Sequence, residues 1–342
     1  MNNIQIQDIR EFVDSFELAD ELCSSSFLIT GATGLIGSTL VHCLMALDCG
    51  IHIVAPVRNV QKAYAMFGEE TKEMELIECD LLSFDYCTIG SVDYIVHCAA
   101  PTSSKFFVEH PVETFDTIIK GTSVLLDFAK KYPVKGFVYL SSLEVYGSIS
   151  DDSQPITEDI QGYWDPMNVR SSYPVAKRAA ENLCCLYAHQ YGVPVNVARL
   201  TQTTGAGRAK DDNRVIAQFA RLAAEGHDII LHTKGEAARP YCYTTDAVSG
   251  ILYILLRGVK GDAYNVANED TYISARGMAD YLKAYFAPHI NVLIEMNDNM
   301  GYAPVTKLRL SSQKLRALGW KPRYGLKDMF EKLIMFMNSK KD

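Results

Sequence analysis

The chain has 342 residues, 48% of them apolar, enough to bury a large core as one α/β unit or as two lobes. Its 33 basic and 41 acidic residues leave a net charge of −8, and no basic run or aromatic-basic interleaving occurs, which argues against a nucleic-acid partner. The nine cysteines are scattered without a CxxC pair, and the adjacent Cys184 and Cys185 read as helix packing. That usage suits a reducing cytosol and argues against a disulfide framework or a metal site. The start, Met1-Asn2-Asn3-Ile4, has neither a basic nor an apolar signal region, and no apolar run reaches the ~18 residues of a membrane span. A cytoplasmic protein with no membrane partner is expected.

In chain order, Ile9, Phe12, Val13 and Phe16 recur at helical spacing and predict an amphipathic N-terminal helix. Next comes Phe27-Leu28-Ile29-Thr30-Gly31-Ala32-Thr33-Gly34-Leu35-Ile36-Gly37, an apolar run ending in three glycines spaced three apart. A helical pattern follows over 38–47. Strand, tight turn and helix in that order make a phosphate cradle, because glycine lets the backbone approach and the helix N-terminus offers unpaired donors. The spacing GxxGxxG is one residue wider than the usual dinucleotide fingerprint.

Strands are predicted over 51–57, 75–79, 94–98, 136–140 and 195–200, with the clearest helices over 113–131 and 173–191. This alternation means right-handed βαβ units and a doubly wound parallel sheet. After Leu200 the rhythm loosens. The sequence predicts a loop over 201–212, a helix over 214–224, a short strand over 228–232, a helix over 244–257 and a strand over 263–266. Short helices alternating with turns are expected beyond that. We expect a dinucleotide-binding domain of residues 1–200 plus 239–267, its first 24 residues a helical addition. Residues 201–238 plus 268–342 would form a smaller substrate lobe, with the ligand cleft outside the carboxyl ends of the strands.

Tyr173 and Lys177 stand four apart on one helical face. A free tyrosine ionises near pH 10, so forming phenolate at neutral pH costs about 4 kcal/mol. A lysine cation nearby should reduce that cost and make the pair a general acid/base. Upstream, the strand at 137–140 runs into Ser141-Ser142-Leu143-Glu144, which places the Ser142 hydroxyl at the cleft mouth.

With these motifs in order, the chain resembles the extended short-chain dehydrogenase/reductase family: the nucleotide-sugar epimerases, dehydratases and decarboxylases. The resemblance covers residues 26–268 and rests on the glycine turn, Asp80-Leu81, His97-Cys98-Ala99-Ala100, Ser141-Ser142, Tyr173 with Lys177, and Arg239 before Thr245-Asp246. It implies a Rossmann-type fold with a smaller C-terminal α/β lobe. The expected cofactor contacts are Gly31, Thr33, Gly34, Leu35, Ile36, Gly37, Arg58, Asp80, Leu81, Ala99, Ala100, Tyr173 and Lys177. Ser142, Tyr173, Lys177 and Glu144 would be catalytic, and Arg239, Gln202 and Arg214 would bind a nucleotide sugar. It also implies a homodimer through the helices at 113–131 and 173–191.

Within the family, Asp165-Pro166, Arg170 before Tyr173, Ala198-Arg199-Leu200 and Asp212-Asn213-Arg214-Val215 look most like UDP-glucuronate decarboxylases. Glu144 falls where these and the 4,6-dehydratases carry a catalytic glutamate. Leu143 departs from the pattern, standing where decarboxylases have serine and dehydratases an acid. Gln202 and Ile118 each replace an asparagine. NAD is the expected cofactor. Arg58, in place of an acid after the second strand, admits NADP and with it an NADPH-dependent keto-sugar or carbonyl reductase. A non-catalytic dinucleotide sensor is the reading from another class.

Overall fold

The computed structural model describes residues 1–69, 72–207, 212–297 and 305–339. Its strands are β1 (Ser26–Thr30), β2 (His52–Val57), β3 (Met74–Glu78), β4 (Tyr94–His97), β5 (Gly136–Ser142), β6 (Val195–Leu200), β7 (Gln202–Thr204), β8 (Ile229–Leu231), β9 (Ala238–Tyr243), β10 (Ala263–Val266), β11 (Asn268–Ser274) and β12 (Val292–Ile294). The helices are α1 (Asn3–Val13), α2 (Leu35–Ala46), α3 (Val60–Phe67), α4 (Ser104–Glu109), α5 (Pro111–Lys131), α6 (Ser172–Tyr191), α7 (Val215–Glu225), α8 (Thr244–Arg257), α9 (Ala275–Tyr285), α10 (Gln313–Arg316) and α11 (Leu326–Asn338).

Seven strands form one parallel sheet in the order β10-β6-β5-β4-β1-β2-β3. Both faces are covered, so the central strands read as unbroken apolar runs rather than alternating ones. Phe27, Leu28 and Ile29 of β1 and Phe137 and Val138 of β5 are fully buried. One apolar cluster joins Phe27, Ile29 and Val138 to α2 and α8, and another joins Leu28 and Phe137 to α5 and α6. Strand order reverses at β1, between β2 and β4, and ligands of such sheets bind at that crevice. Two small sheets, β11-β9-β7 and β12-β8, lie outside this layer. They pack with α7, α9 and α11 around Phe219, Met278 and Phe330.

Helix α1 begins with a capping box in which Asn2 accepts from Gln5 N and Gln5 accepts from Asn2 N. It is tied down by a buried carboxylate: Asp8 accepts from the Tyr243 hydroxyl at 2.6 Å and from Lys332 Nζ at 2.9 Å.

The seven-stranded sheet follows the expected strands closely, and the helix after the glycine turn begins earlier than its apolar pattern, at Leu35. The C-terminal half departs more. The expected loop at 201–212 contains β7, and its residues 208–211 lie outside the described residues. Strands β11 and β12 replace expected turns or short helices, and β9 lies where no element was expected. β9 and β11 carry arginine, proline, aspartate and serine among few apolar positions, and β12 is only three residues long, so pairing with neighbours rather than local pattern makes them strands. Helix α11, thirteen residues long, is no short connector.

Candidate active site

The floor of the crevice is the turn between β1 and α2. Gly31 has φ +69°, and a Cβ there would sit 2.7 Å from Ala99 N; one on Gly37 would sit 2.3 Å from the Gly31 carbonyl oxygen. Both glycines are required by the closeness of neighbouring backbone. Gly34 is the N-cap of α2 and supplies no side-chain cap, so the first amides of the helix have no side-chain acceptor from it. Lys62 Nζ reaches the Thr33 carbonyl at 3.3 Å, which adds a cation beside the turn. Leu35 and Ile36 are half-buried behind it.

Around this floor stand the other residues expected to hold a dinucleotide. Arg58 is exposed at the carboxyl end of β2. Asp80 is exposed and accepts from Leu82 N at 2.8 Å. Leu81 lies over α5, where a Cβ on Gly121 would come within 2.7 Å of its Cδ2. Ala99 and Ala100 are half-buried after β4. Between the two central strands, Thr30 Oγ1 and His97 Nδ1 are 2.7 Å apart. The other His97 nitrogen is buried without a partner, and burial, aided by the Lys177 charge, lowers its pKa to about 3. A phosphate cradle open to backbone amides, flanked by a cation, fits the diphosphate of a dinucleotide.

The catalytic candidates meet at the ends of β5 and α6. Ser142 closes β5 and accepts from Glu144 N at 3.2 Å, capping the short 3-10 turn that presents Glu144. Tyr173 enters α6 buried, with its ring stacked on Phe107 at 4.3 Å and 10°. Lys177, one turn on, donates to the Leu140 carbonyl at 2.6 Å, and its Nζ lies 4.6 Å from the Tyr139 ring centre and 5.8 Å from that of Tyr173.

The expected acidification of the phenol by Lys177 is not what this structure shows. Burial first, then the Glu144 carboxylate, raise the Tyr173 pKa above its ordinary value, against the lowering effects of Ser142, Arg170 and Arg214. Burial also brings Lys177 down to about 8, opposed by Glu181. With that pKa Lys177 stays mostly cationic at neutral pH, yet its charge is not among the leading influences on the phenol.

Glu144 is not a loose surface acid. Arg170 Nη2 donates to its two oxygens at 3.2 and 3.0 Å, and Trp164 Nε1 donates to its backbone carbonyl at 2.6 Å. Among the described residues Arg170 Nη1 is buried without a partner, and the guanidinium lies 5.2 Å from the Phe107 ring centre. The sequence displayed Arg170 three residues before Tyr173 but gave it no role. Leu143 points away into an apolar cluster with Val145, Ile156 and Leu310, so its departure from the family pattern concerns packing.

Arg214 caps α7 and is held by Asp212 at 2.8 Å, close enough to act on the Tyr173 phenol. Gln202 is half-buried at the start of β7, opposite Tyr241. Arg239 is half-buried on β9 and paired in register with Ile273. Its charge acts on Tyr272 together with that of Arg309. The structure thus gathers Ser142, Glu144, Arg170, Tyr173, Lys177 and Arg214, and sets Arg239 near Tyr272.

Residues 27–267 match the family model described as the NAD dependent epimerase/dehydratase family. The chain belongs to that family. Among curated relatives of this epimerase/dehydratase, UDP-glucuronic acid decarboxylase 6 of Arabidopsis thaliana is 31% identical over 304 residues, covering 88% of this chain and 85% of that one. UDP-glucuronic acid decarboxylase 1 of Danio rerio is 29% identical over 314 residues, with 91% and 72% covered. A Thermotoga maritima UDP-glucose 4-epimerase solved with UDP-glucose has the same fold, with a TM-score of 0.79 at 21% identity over 93% of this chain and 100% of that one. So does a Bacillus anthracis dTDP-glucose 4,6-dehydratase solved with NAD, at 0.76 and 20% over 93% and 97%. NAD is the cofactor of the family, and the turn at Gly31–Gly37 with its uncapped helix suits the diphosphate. Among the described residues, no helix is long and apolar enough to cross a membrane.

Proposed function

We propose that this epimerase/dehydratase removes the carboxyl group of a nucleoside-diphosphate uronic acid by way of a 4-keto sugar, as a UDP-glucuronate decarboxylase does. The observation that carries this choice is Arg170. One of its nitrogens holds Glu144, and the other is buried and unpaired beside the catalytic candidates. A planar guanidinium with a donor to spare suits a substrate carboxylate. The 31% identity to a decarboxylase supports the same reading.

In this scheme the glycine turn, Lys62 and the α2 N-terminus hold the NAD diphosphate, and Ala99 and Ala100 line the nicotinamide side. NAD supplies a reversible hydride acceptor there. Tyr173, once ionised in the loaded site, takes the proton of the sugar 4-hydroxyl as phenolate and later returns it. In the cofactor-free site burial and Glu144 hold it as phenol. The Ser142 hydroxyl donates to the sugar oxygen as charge develops on it. Lys177 orients the ribose. Arg214 and Arg239 bind the substrate diphosphate, with Gln202 beside them. Once C4 is a ketone, the bond from C5 to its carboxyl group weakens and CO2 leaves. The electron pair left at C5 is delocalised onto the C4 oxygen beside Ser142, and C5 then takes a proton in place of CO2 while Glu144 and Arg170 govern the charge around it. In a 4,6-dehydratase reading, the Glu144 carboxylate would instead remove the C5 proton.

We further propose that residues 1–200 with 239–267 act as the cofactor domain and the remainder as the substrate lobe. The protein would work in the cytoplasm, in polysaccharide precursor synthesis, as a homodimer built through α5 and α6. Val112 and Phe115 on α5 and Leu186 on α6 are exposed, as such an interface requires. Arg58 favours one second reading, an NADPH-dependent keto-sugar reductase, because no acid follows β2.

The deciding experiment incubates the pure protein with a panel of nucleotide sugars and reads product masses. Loss of CO2 from UDP-glucuronate supports the proposal. Loss of water from a nucleoside-diphosphate hexose assigns the dehydratase reading. Consumption of NADPH with a gain of two hydrogens assigns the reductase. No product from any sugar removes the enzymatic proposal.

A further inference from the structure

At the amino edge of the sheet, opposite the glycine turn, two cysteines face each other. Strands β1 and β2 pair in parallel with Ser26 opposite His52. Three residues back along each chain, outside the strands, stand Cys23 and Cys49. Backbone hydrogen bonds carry the pairing beyond the strands: Ser24 N donates to the Cys49 carbonyl and His52 N to the Ser25 carbonyl, each at 2.9 Å. The Cys23 thiol is near enough to Cys49 to raise its pKa. Cys23 is exposed and Cys49 half-buried. Two non-glycine residues in the left-handed region flank the pair, Ser24 at φ 56° and Asp48 at φ 48°. They turn the chain sharply on both sides and hold the two segments together. Cys184 and Cys185 offer no such geometry, since one is buried and the other exposed on the same helix.

We propose that Cys23 and Cys49 are a reversible disulfide site, closed by a small-molecule disulfide such as oxidised glutathione. The exposed Cys23 thiolate attacks one sulfur of the oxidant and releases one glutathione. Cys49, deprotonated, then attacks the Cys23 sulfur and releases the second. Two thiols are oxidised, one oxidant disulfide is reduced, and the two protons end on the two glutathiones. Burial, the facing Cys23 thiol, Asp20 and Asp48 push the Cys49 pKa up to about 11. Cys49 is therefore a poor leaving group, and the bridge opens slowly once made. The closed loop holds β1, the glycine turn and α2, so oxidation staples the whole cofactor-cradling unit at the end remote from the site.

The full chain is incubated with oxidised glutathione, then analysed by intact mass, by a non-reducing peptide map and by thermal melting, beside Cys23→Ser. The expected wild-type result is a linked Cys23–Cys49 peptide and a mass lower by about 2 Da. The bridge should raise the melting temperature by roughly 5 °C, reversibly by dithiothreitol. Cys23→Ser, altered at an exposed position, should show neither link nor shift. Glutathione retained on Cys23 with Cys49 open to alkylation overturns the proposal. So does oxidation that links other cysteines, or recovery of both thiols unchanged.

Discussion

Arg170 binds both carboxylate oxygens of Glu144 through a single guanidinium nitrogen, at 3.2 and 3.0 Å, and leaves its other terminal nitrogen buried and unpaired. Both side chains are less than a third exposed, so solvent screens the pair only in part. The pair forms one unit beside Tyr173, whose phenol feels both charges. Arg170→Met and Glu144→Gln should each lower kcat by roughly 10- to 100-fold, and the double variant should be no worse than the weaker single one. The measurement is a double-mutant cycle on turnover of the sugar that the panel identifies. Strictly additive losses would mean that the two residues act separately.

Tyr173→Phe removes the proton-carrying oxygen while keeping the stack on Phe107. Turnover should fall by roughly 10²- to 10⁴-fold, with NAD affinity within about twofold of wild type, since the phenol is one contact among many. Because burial and Glu144 raise its pKa, the Tyr173 phenol of the cofactor-free protein should ionise only above pH 10. The difference in ultraviolet titration between wild type and Tyr173→Phe reads this directly. A phenolate step at neutral pH would restore the simpler picture of a lysine-acidified tyrosine.

Arg58 decides between cofactors. If it only lies along the adenine, Arg58→Ala weakens NAD and NADP alike. If it grips a 2′-phosphate, the same change costs NADP about tenfold or more and leaves NAD unaffected. The proposed decarboxylase predicts the first pattern, with NAD bound more tightly than NADP, read by calorimetric titration of both dinucleotides.

How far the sequence revealed these features depended on whether a feature was local. The central strands were legible because burial on both faces writes them as apolar runs. Tyr173 and Lys177 were legible because a helix fixes what four residues mean. The strand Ala238–Tyr243 was hidden because it contains arginine and proline and exists only through β7 and β11. The Glu144–Arg170 pair was hidden for a related reason: 26 residues separate partners that only the fold brings together. The burial of Lys177, the largest influence on its pKa, was hidden because spacing along a helix says nothing of burial.

His97 gives a prediction about stability. Burial lowers its pKa from 6.5 to about 3. The unfolded chain therefore binds a proton that the folded one refuses, and stability falls as pH drops through that window, by up to about 1.4 kcal/mol per pH unit. Lys177, lowered to about 8 from 10.5, acts at the other end: its penalty is full below pH 8 and is relieved as pH rises towards 10.5. His97→Asn keeps a partner for Thr30 and removes the titration. Urea unfolding at pH 4, 5, 6 and 7 should give a shallower acid slope for this variant than for wild type. Parallel slopes would mean that His97 is protonated in the fold.

Gly34 and Gly37 share a motif but not a constraint, and alanine at each should separate them. A Cβ at 34 would lie 3.3 Å from the Gly31 carbonyl oxygen, which a small shift relieves, whereas one at 37 would lie 2.3 Å from the same oxygen and 2.9 Å from the Ala32 Cα. Those are backbone atoms of the turn itself, so Gly37→Ala must open the cradle. Helix propensity alone favours alanine over glycine at position 37 by roughly 1 kcal/mol, so destabilisation there reports the collision. The expected outcome is a lower melting temperature and at least tenfold weaker NAD binding for Gly37→Ala. Gly34→Ala should stay within about threefold of wild type, because its backbone conformation suits any residue. Equal losses at both positions would show that the turn discriminates by something other than the space between Gly31 and the first turn of α2.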